Sequence, residues 1–212
     1  MTRDGLLTLT QWLSPAFPIS GYAYSHGLEA AIAGGQVSDA GALKEWLGEV
    51  ISQGSGRVDA VLLVQAMAEG ADHGALGLTA RALAASRERW EETSQQGAAF
   101  TETVNAVEGR DDVAVALPVA VGRAARGLGC AVEDVAALYL QAFAGNLVSV
   151  AVRFMPLGQT EGQRVLTRLR PVILEVAREA CGLSLDQVTS AVPAADLAAM
   201  AHEEMDVRIF RT

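Results

Sequence analysis

An all-α fold, built as a single-domain bundle of roughly eight to ten helices, is what this sequence predicts, and three observations predict it. Half of the 212 residues are hydrophobic, with an alanine and leucine bias, whereas aromatics make up only 5%; helices favour Ala and Leu, and sheets favour β-branched and aromatic residues. Apolar residues recur at helical spacing through most of the chain. The connections are short, marked by glycine or proline, and contain no linker-like stretch, low-complexity tract or fixed-period repeat. A chain of this length can bury a sizeable core as one domain over residues 1–212.

Gly5 to Leu13 opens the chain, with Leu6, Leu9 and Leu13 near helical spacing. Ser14 to Glu29, SPAFPISGYAYSHGLE, cannot be an ordinary helix: Pro15 and Pro18 lack donors and push their predecessors out of the α region, and Gly21 opens further backbone angles. It reads as a shaped loop rich in aromatic side chains with polar tips, a composition suited to recognition. Helix is expected from about Ser25 to Ala33, stopped by Gly34 and Gly35.

Ser38 and Asp39 are candidate N-caps for the clearest amphipathic helix, in which Leu43, Trp46, Leu47, Val50 and Ile51 share a face. The turn at Gly54 to Gly56 ends it, and Val58 to Met67 reads as an interior helix. Leu76 to Val107 is helical but more polar. In its SRERWEETSQQG segment, Arg87 and Glu91 lie one turn apart, as do Glu88 and Glu92, which reads as a solvated face around one buried tryptophan, Trp90.

Pro118 suits the first turn of Leu117 to Gly127. Val135 to Val152 follows, 18 residues without a charge, which reaches the lower limit for a membrane span. Gln141, Asn146 and Ser149 interrupt it, so it is read as the buried central helix of a bundle. Leu157 to Gly162 is a turn before Val165, Leu169, Val172, Ile173 and Val176, where Pro171 predicts a bend. Gly182 breaks the chain, and Leu183 to Met200 holds a final helical portion with Pro193 at a joint. The tail from His202 to Thr212, HEEMDVRIFRT, is read as mobile alone yet able to dock.

The net charge of −9 and the lack of a basic cluster argue against nucleic acid or an anionic membrane surface as partner. Cys130 and Cys181 are isolated and no secretory signal precedes them, so reduced thiols in a cytoplasmic protein are expected. The only lysine, Lys44, is followed by Glu45, which excludes a phosphate-binding loop of the GxxxxGK[ST] type. AYSHG at Ala23 to Gly27 misses the first glycine of a nucleophile elbow and follows no strand. His26, His73 and His202 lie far apart, outside any metal-ligand spacing. No catalytic residue, metal ligand or cofactor is therefore expected.

Four stretches in order, SPAFPISGYAYSHGLEAAIAGGQV, SRERWEETSQQG, FMPLGQTEGQRVL and AAMAHEEMDVRIFRT, resemble the urease accessory protein UreF family over nearly the whole chain. The resemblance implies a non-enzymatic, all-α maturation factor of the cytoplasm. It implies a homodimer that joins the accessory protein UreD or UreH and the GTPase UreG to apo-urease during nickel insertion. Tyr22, Tyr24, Ser25, His26 and Glu29 fall in the family's N-terminal signature, and Arg208 and Phe210 in its C-terminal one; these are the candidate partner-binding residues. On this reading, the UreD or UreH partner orders the tail from about Ala201 to Thr212 and brings Arg208 to the loop near Tyr22, fixing a surface for the GTPase. Where many members carry PxGxxSxSxG, the loop has Ser20 at the first glycine, and which tyrosine faces the partner stays open. The alternatives are a direct nickel-carrying metallochaperone, and a hydrolase built on Ser25, His26 and Glu29, which lie too close in sequence for a triad unless the loop folds back.

Overall fold

Thr2 opens the first helix, α1 (Arg3–Trp12), by accepting the Gly5 N–H on its hydroxyl, and the same hydroxyl donates to the Leu128 carbonyl, 2.7 Å away. The computed structural model describes residues 2–211, so Thr212, the last residue of the expected tail, lies outside the described residues. Nine more α-helices follow: α2 (Leu28–Ala33), α3 (Ala40–Gln53), α4 (Ser55–Met67), α5 (His73–Ala82), α6 (Arg87–Glu108), α7 (Leu117–Ala125), α8 (Val132–Phe154), α9 (Gln159–Ala180) and α10 (Pro193–Glu203). Two 3-10 turns, Gly21–Ala23 and Leu185–Gln187, complete the regular structure, and no strand occurs among the described residues. The all-α expectation is met.

Side chains that bond the backbone near their own position set several boundaries. Asp39, Asp72 and Ser86 accept the N–H groups of Ala42, Ala75 and Arg89, capping α3, α5 and α6. The Ser86 cap divides the stretch Leu76 to Val107, read from sequence as one helical run, into α5 and α6. Pro118 and Pro193 sit in the first turns of α7 and α10, where a missing donor costs nothing. Pro171 lies inside α9 on its exposed side, and the helix runs from Gln159 to Ala180 through it.

At the centre is α8. It is long and apolar enough to cross a membrane, yet half of its most apolar window is buried inside the protein. Tyr139, Leu140, Ala144, Leu147 and Val148 face the core, and α9 forms its most extensive neighbour. Helix α4 packs against α7 and α8, and α3 against α9, so that Leu47, Ile51, Leu62, Leu63, Leu140 and Leu169 join one buried cluster. Helices α6 and α7 approach closely where Gly97 faces the chain leading into α7; a Cβ there would stand 2.0 Å from the Val115 carbonyl oxygen.

The solvated charged face expected on α6 is partly inverted. Glu88 and Glu92 are buried, whereas Arg87 and Glu91 remain exposed and Trp90 is half-buried. The reason is that Glu88 is met by His202 of α10 and Arg208 of the tail, and Glu92 by His26 of the loop before α2 and by Arg89 of its own helix.

Candidate functional site

Ser14 to Gly27 runs irregularly between α1 and α2, and its path is set by backbone angles that glycine favours. Ser20 has φ 56°, His26 φ 57° and Gly27 φ 75°. Ser20 thus adopts the left-handed conformation that a glycine would take at that place. A histidine at positive φ is strained and persists only if its surroundings hold it. They do: Nδ1 of His26 lies 2.9 Å from a Glu92 oxygen, and Nε2 lies 2.6 Å from the Ser55 hydroxyl at the start of α4. These left-handed residues delay α2 to Leu28, later than the Ser25 start read from the sequence. Gly27 is also where α10 rests on the loop, since a Cβ there would meet the Ala199 nitrogen at 2.7 Å.

The C-terminal tail closes over this loop through two buried carboxylates. Glu29 of α2, 1% exposed, accepts the Ile209 N–H on Oε1 at 2.8 Å and the Phe210 N–H on Oε2 at 2.9 Å. Nε2 of His202, on α10, lies 3.1 Å from the same Oε2. The other imidazole nitrogen lies 2.7 Å from Oε2 of Glu88 on α6, and the Arg208 guanidinium donates to Oε1 of Glu88 at 2.7 Å. Each ring nitrogen of His202 therefore faces a carboxylate oxygen. The two buried carboxylates thus share one imidazole and one guanidinium, and each finds the hydrogen-bond partners that burial demands. Outside them, Glu203 accepts the Glu88 N–H and pairs with Arg87.

A second buried cluster continues along α6. Arg89 donates through one nitrogen to both oxygens of Asp59 on α4, at 2.8 and 2.7 Å, and Tyr139 on α8 donates to Asp59 at 2.7 Å. Arg89 also stands 3.5 Å from Glu92. Burial alone would raise the Glu92 carboxyl, but His26 and then Arg89 outweigh it and hold it below its ordinary value. Burial likewise works against the Arg89 cation, and Asp59 and Glu92 overcome it, leaving the guanidinium more firmly protonated than usual. Burial, followed by Asp59, pushes the Tyr139 phenol well above its usual range. Asp59, Arg89 and Glu92 form a common wall between two clefts. One is lined by His26, Ser55 and Asp196, the other by Gly21, Tyr24 and Asn146.

The structure gathers the sequence-derived candidates at one end of the molecule but gives them different stations. Tyr22 is 62% exposed, and Arg208 is partly exposed. Tyr24, Ser25, Glu29 and Phe210 are buried, with the Tyr24 hydroxyl donating to Gln95 at 2.9 Å. They can shape a surface but do not form its outer layer. Arg208 hydrogen-bonds Glu88, and the guanidinium that reaches the Tyr22 carbonyl is that of Arg153, at 2.6 Å. The tail is docked in the chain by itself, with the Arg211 N–H donating to the Ala23 carbonyl at 2.7 Å. Sequence reasoning did not single out Asp59, Glu88, Arg89, Glu92, Arg153 or His202 as site residues. Glu88 and Glu92 carried a signal, because they continue the stripe of Gln96, Phe100 and Val104 backward at four-residue steps, and all five are buried. Among the described residues no three His, Cys, Asp or Glu side chains gather where they could hold a metal ion.

Fold and site together define an all-helical protein whose candidate surface is a composite of its N-terminal loop and C-terminal tail, clasped by buried carboxylates. The family model UreF matches residues 37–170. Curated relatives extend the likeness over the loop and tail as well: the chain is 55% identical over 208 residues to the urease accessory protein UreF of Jannaschia sp. strain CCS1, covering 98% of this chain and 94% of that one. It is 56% identical over 207 residues to the UreF of Cereibacter sphaeroides strain KD131, with 98% of each covered. The protein so named in Roseobacter denitrificans is 48% identical over 215 residues, covering all of this chain and 96% of that one. The chain belongs to the UreF family of urease accessory proteins.

Proposed function

We propose that this chain serves urease maturation as a non-catalytic scaffold, one domain over residues 1–212, working as a homodimer in the cytoplasm. The surface composed of the Ser14 to Gly27 loop and the tail from about Ala201 recruits the UreD or UreH accessory protein. Through that partner it joins the GTPase UreG to apo-urease for nickel delivery. The observation that carries this reading is the Glu29 carboxylate, which binds the Ile209 and Phe210 amides and so makes one surface from segments about 180 residues apart. The family name of its relatives supplies the process. The buried Tyr24, Ser25, Glu29 and Phe210 act by holding the shape, while Tyr22 and Arg208 are the groups accessible to a partner.

Co-expression pull-down tests it. Tyr22→Ala and Arg208→Ala are expected to lower recovery of the UreD or UreH protein and the GTPase, and to lower urease activation in cells carrying the variant. Unchanged recovery of both partners with both variants would discard the composite surface as the recruiting site.

A further inference from the structure

The last turn of α8 holds a side chain that touches both halves of the composite surface and that the family's sequence signatures do not single out. Arg153 donates through Nε to the Ser149 carbonyl of its own helix at 3.2 Å and through Nη2 to the Tyr22 carbonyl at 2.6 Å. Its guanidinium carbon stands 4.8 Å from the centre of the Phe210 ring. Phe154, the next residue, meets the same ring edge-on at 6.5 Å between centroids. The Phe210 ring is thus held by two consecutive residues of α8, while its N–H is held by Glu29.

We infer that Arg153 is a positioning residue that locks the loop to the tail, and that its planar guanidinium, rather than its charge, is what the lock requires. This deepens the scaffold reading and, for partner recruitment, rests on it. A guanidinium can donate in its plane while presenting its face to an aromatic ring; an ammonium is a compact point charge that does one at a time. The Nε bond to Ser149 fixes the fork, so Nη2 is aimed at Tyr22. The position near the helix C-terminus favours a cation of either kind. Charge alone therefore does not distinguish Arg from Lys here, whereas the simultaneous hydrogen bond and placement over the ring do.

The test is amide hydrogen exchange on the full chain without partners, with the buried α4 amides of Ala60 to Leu63 as internal reference. The probes are Phe210, whose N–H binds Glu29, and Arg211, whose N–H binds Ala23. Relative to the α4 amides, Arg153→Ala and Arg153→Lys are both expected to speed exchange at the two probes, by on the order of tenfold. Protection retained in Arg153→Ala, or fully restored in Arg153→Lys, would overturn the inference. Pull-down of the partners should fall in both variants alongside the loss of protection. Wild-type chain that recruits no partner would defeat the scaffold reading while leaving the exchange result to decide the lock.

Discussion

Glu29 and His202, 173 positions apart in the chain, meet at 3.1 Å, and neither exposes more than 1% of its surface. Each of these groups is buried on condition that the other is present, and the tail amides share that dependence.

Removing one member should therefore cost more than a hydrogen bond. His202→Leu leaves the Glu29 and Glu88 carboxylates without the imidazole between them, and each buried acceptor left unmet costs about 1–3 kcal/mol. Urea unfolding should show it. Glu29→Leu should in addition leave the Ile209 and Phe210 amides without their acceptor, with loss of exchange protection at both.

The Arg89 and Asp59 pair offers a cleaner separation of charge from shape. Arg89→Met or Asp59→Leu alone should each destabilise by about 3–5 kcal/mol, because the other charge is stranded in the core. The double variant should cost less than the sum of the two, and a double-mutant cycle by denaturant titration measures the difference.

Acid should act through Glu92. Its carboxyl is held below its ordinary value in the fold, so its contribution to stability is complete above the ordinary value of 4.5 and is lost as the pH falls through the depressed one. Unfolding free energy is expected to decline below about pH 4.5 in the wild type. Glu92→Gln should be less stable near neutrality and show a shallower decline, which denaturant titration at several pH values would reveal.

Gly27 and Gly35 share φ 75° but differ in surroundings. At Gly35 a Cβ meets nothing within 4 Å, whereas at Gly27 it would strike the backbone of α10. Gly35→Ala should cost about 1 kcal/mol from backbone strain alone. Gly27→Ala should cost distinctly more and loosen α10, seen as a lower Tm and faster exchange of the α10 amides.

Much of the helical layout was legible in the sequence because it is local physics. The Asp39 cap, the stripe from Leu43 to Ile51, the first-turn prolines and the apolar α8 can each be read within a window of a few residues. The loop and tail were recognisable for the same reason, by composition. What the sequence concealed is pairing at a distance. Glu88 and Glu92 look like solvent-facing carboxylates until the N-terminal loop, α10 and the tail bring His26, His202 and Arg208 to them. Arg153 resembles an ordinary helix-ending cation until Tyr22 and Phe210 arrive from opposite ends of the chain. The coupling expected between Arg208 and Tyr22 joins the tail to the loop, whereas in the structure the guanidinium at the Tyr22 carbonyl is that of Arg153, on a third segment, and Arg208 bonds Glu88.

A contact made by the amides of residues 209 and 210 with a side chain at position 29 has a consequence for synthesis. While the polypeptide is still emerging from the ribosome, the carboxylates at positions 29 and 88 have no counterpart and must stay hydrated, so their end of the molecule remains open. Closure is thus a late event, and a chain cut off before residue 202, however well its inner helices assemble, would leave both carboxylates without the imidazole and amides that meet them.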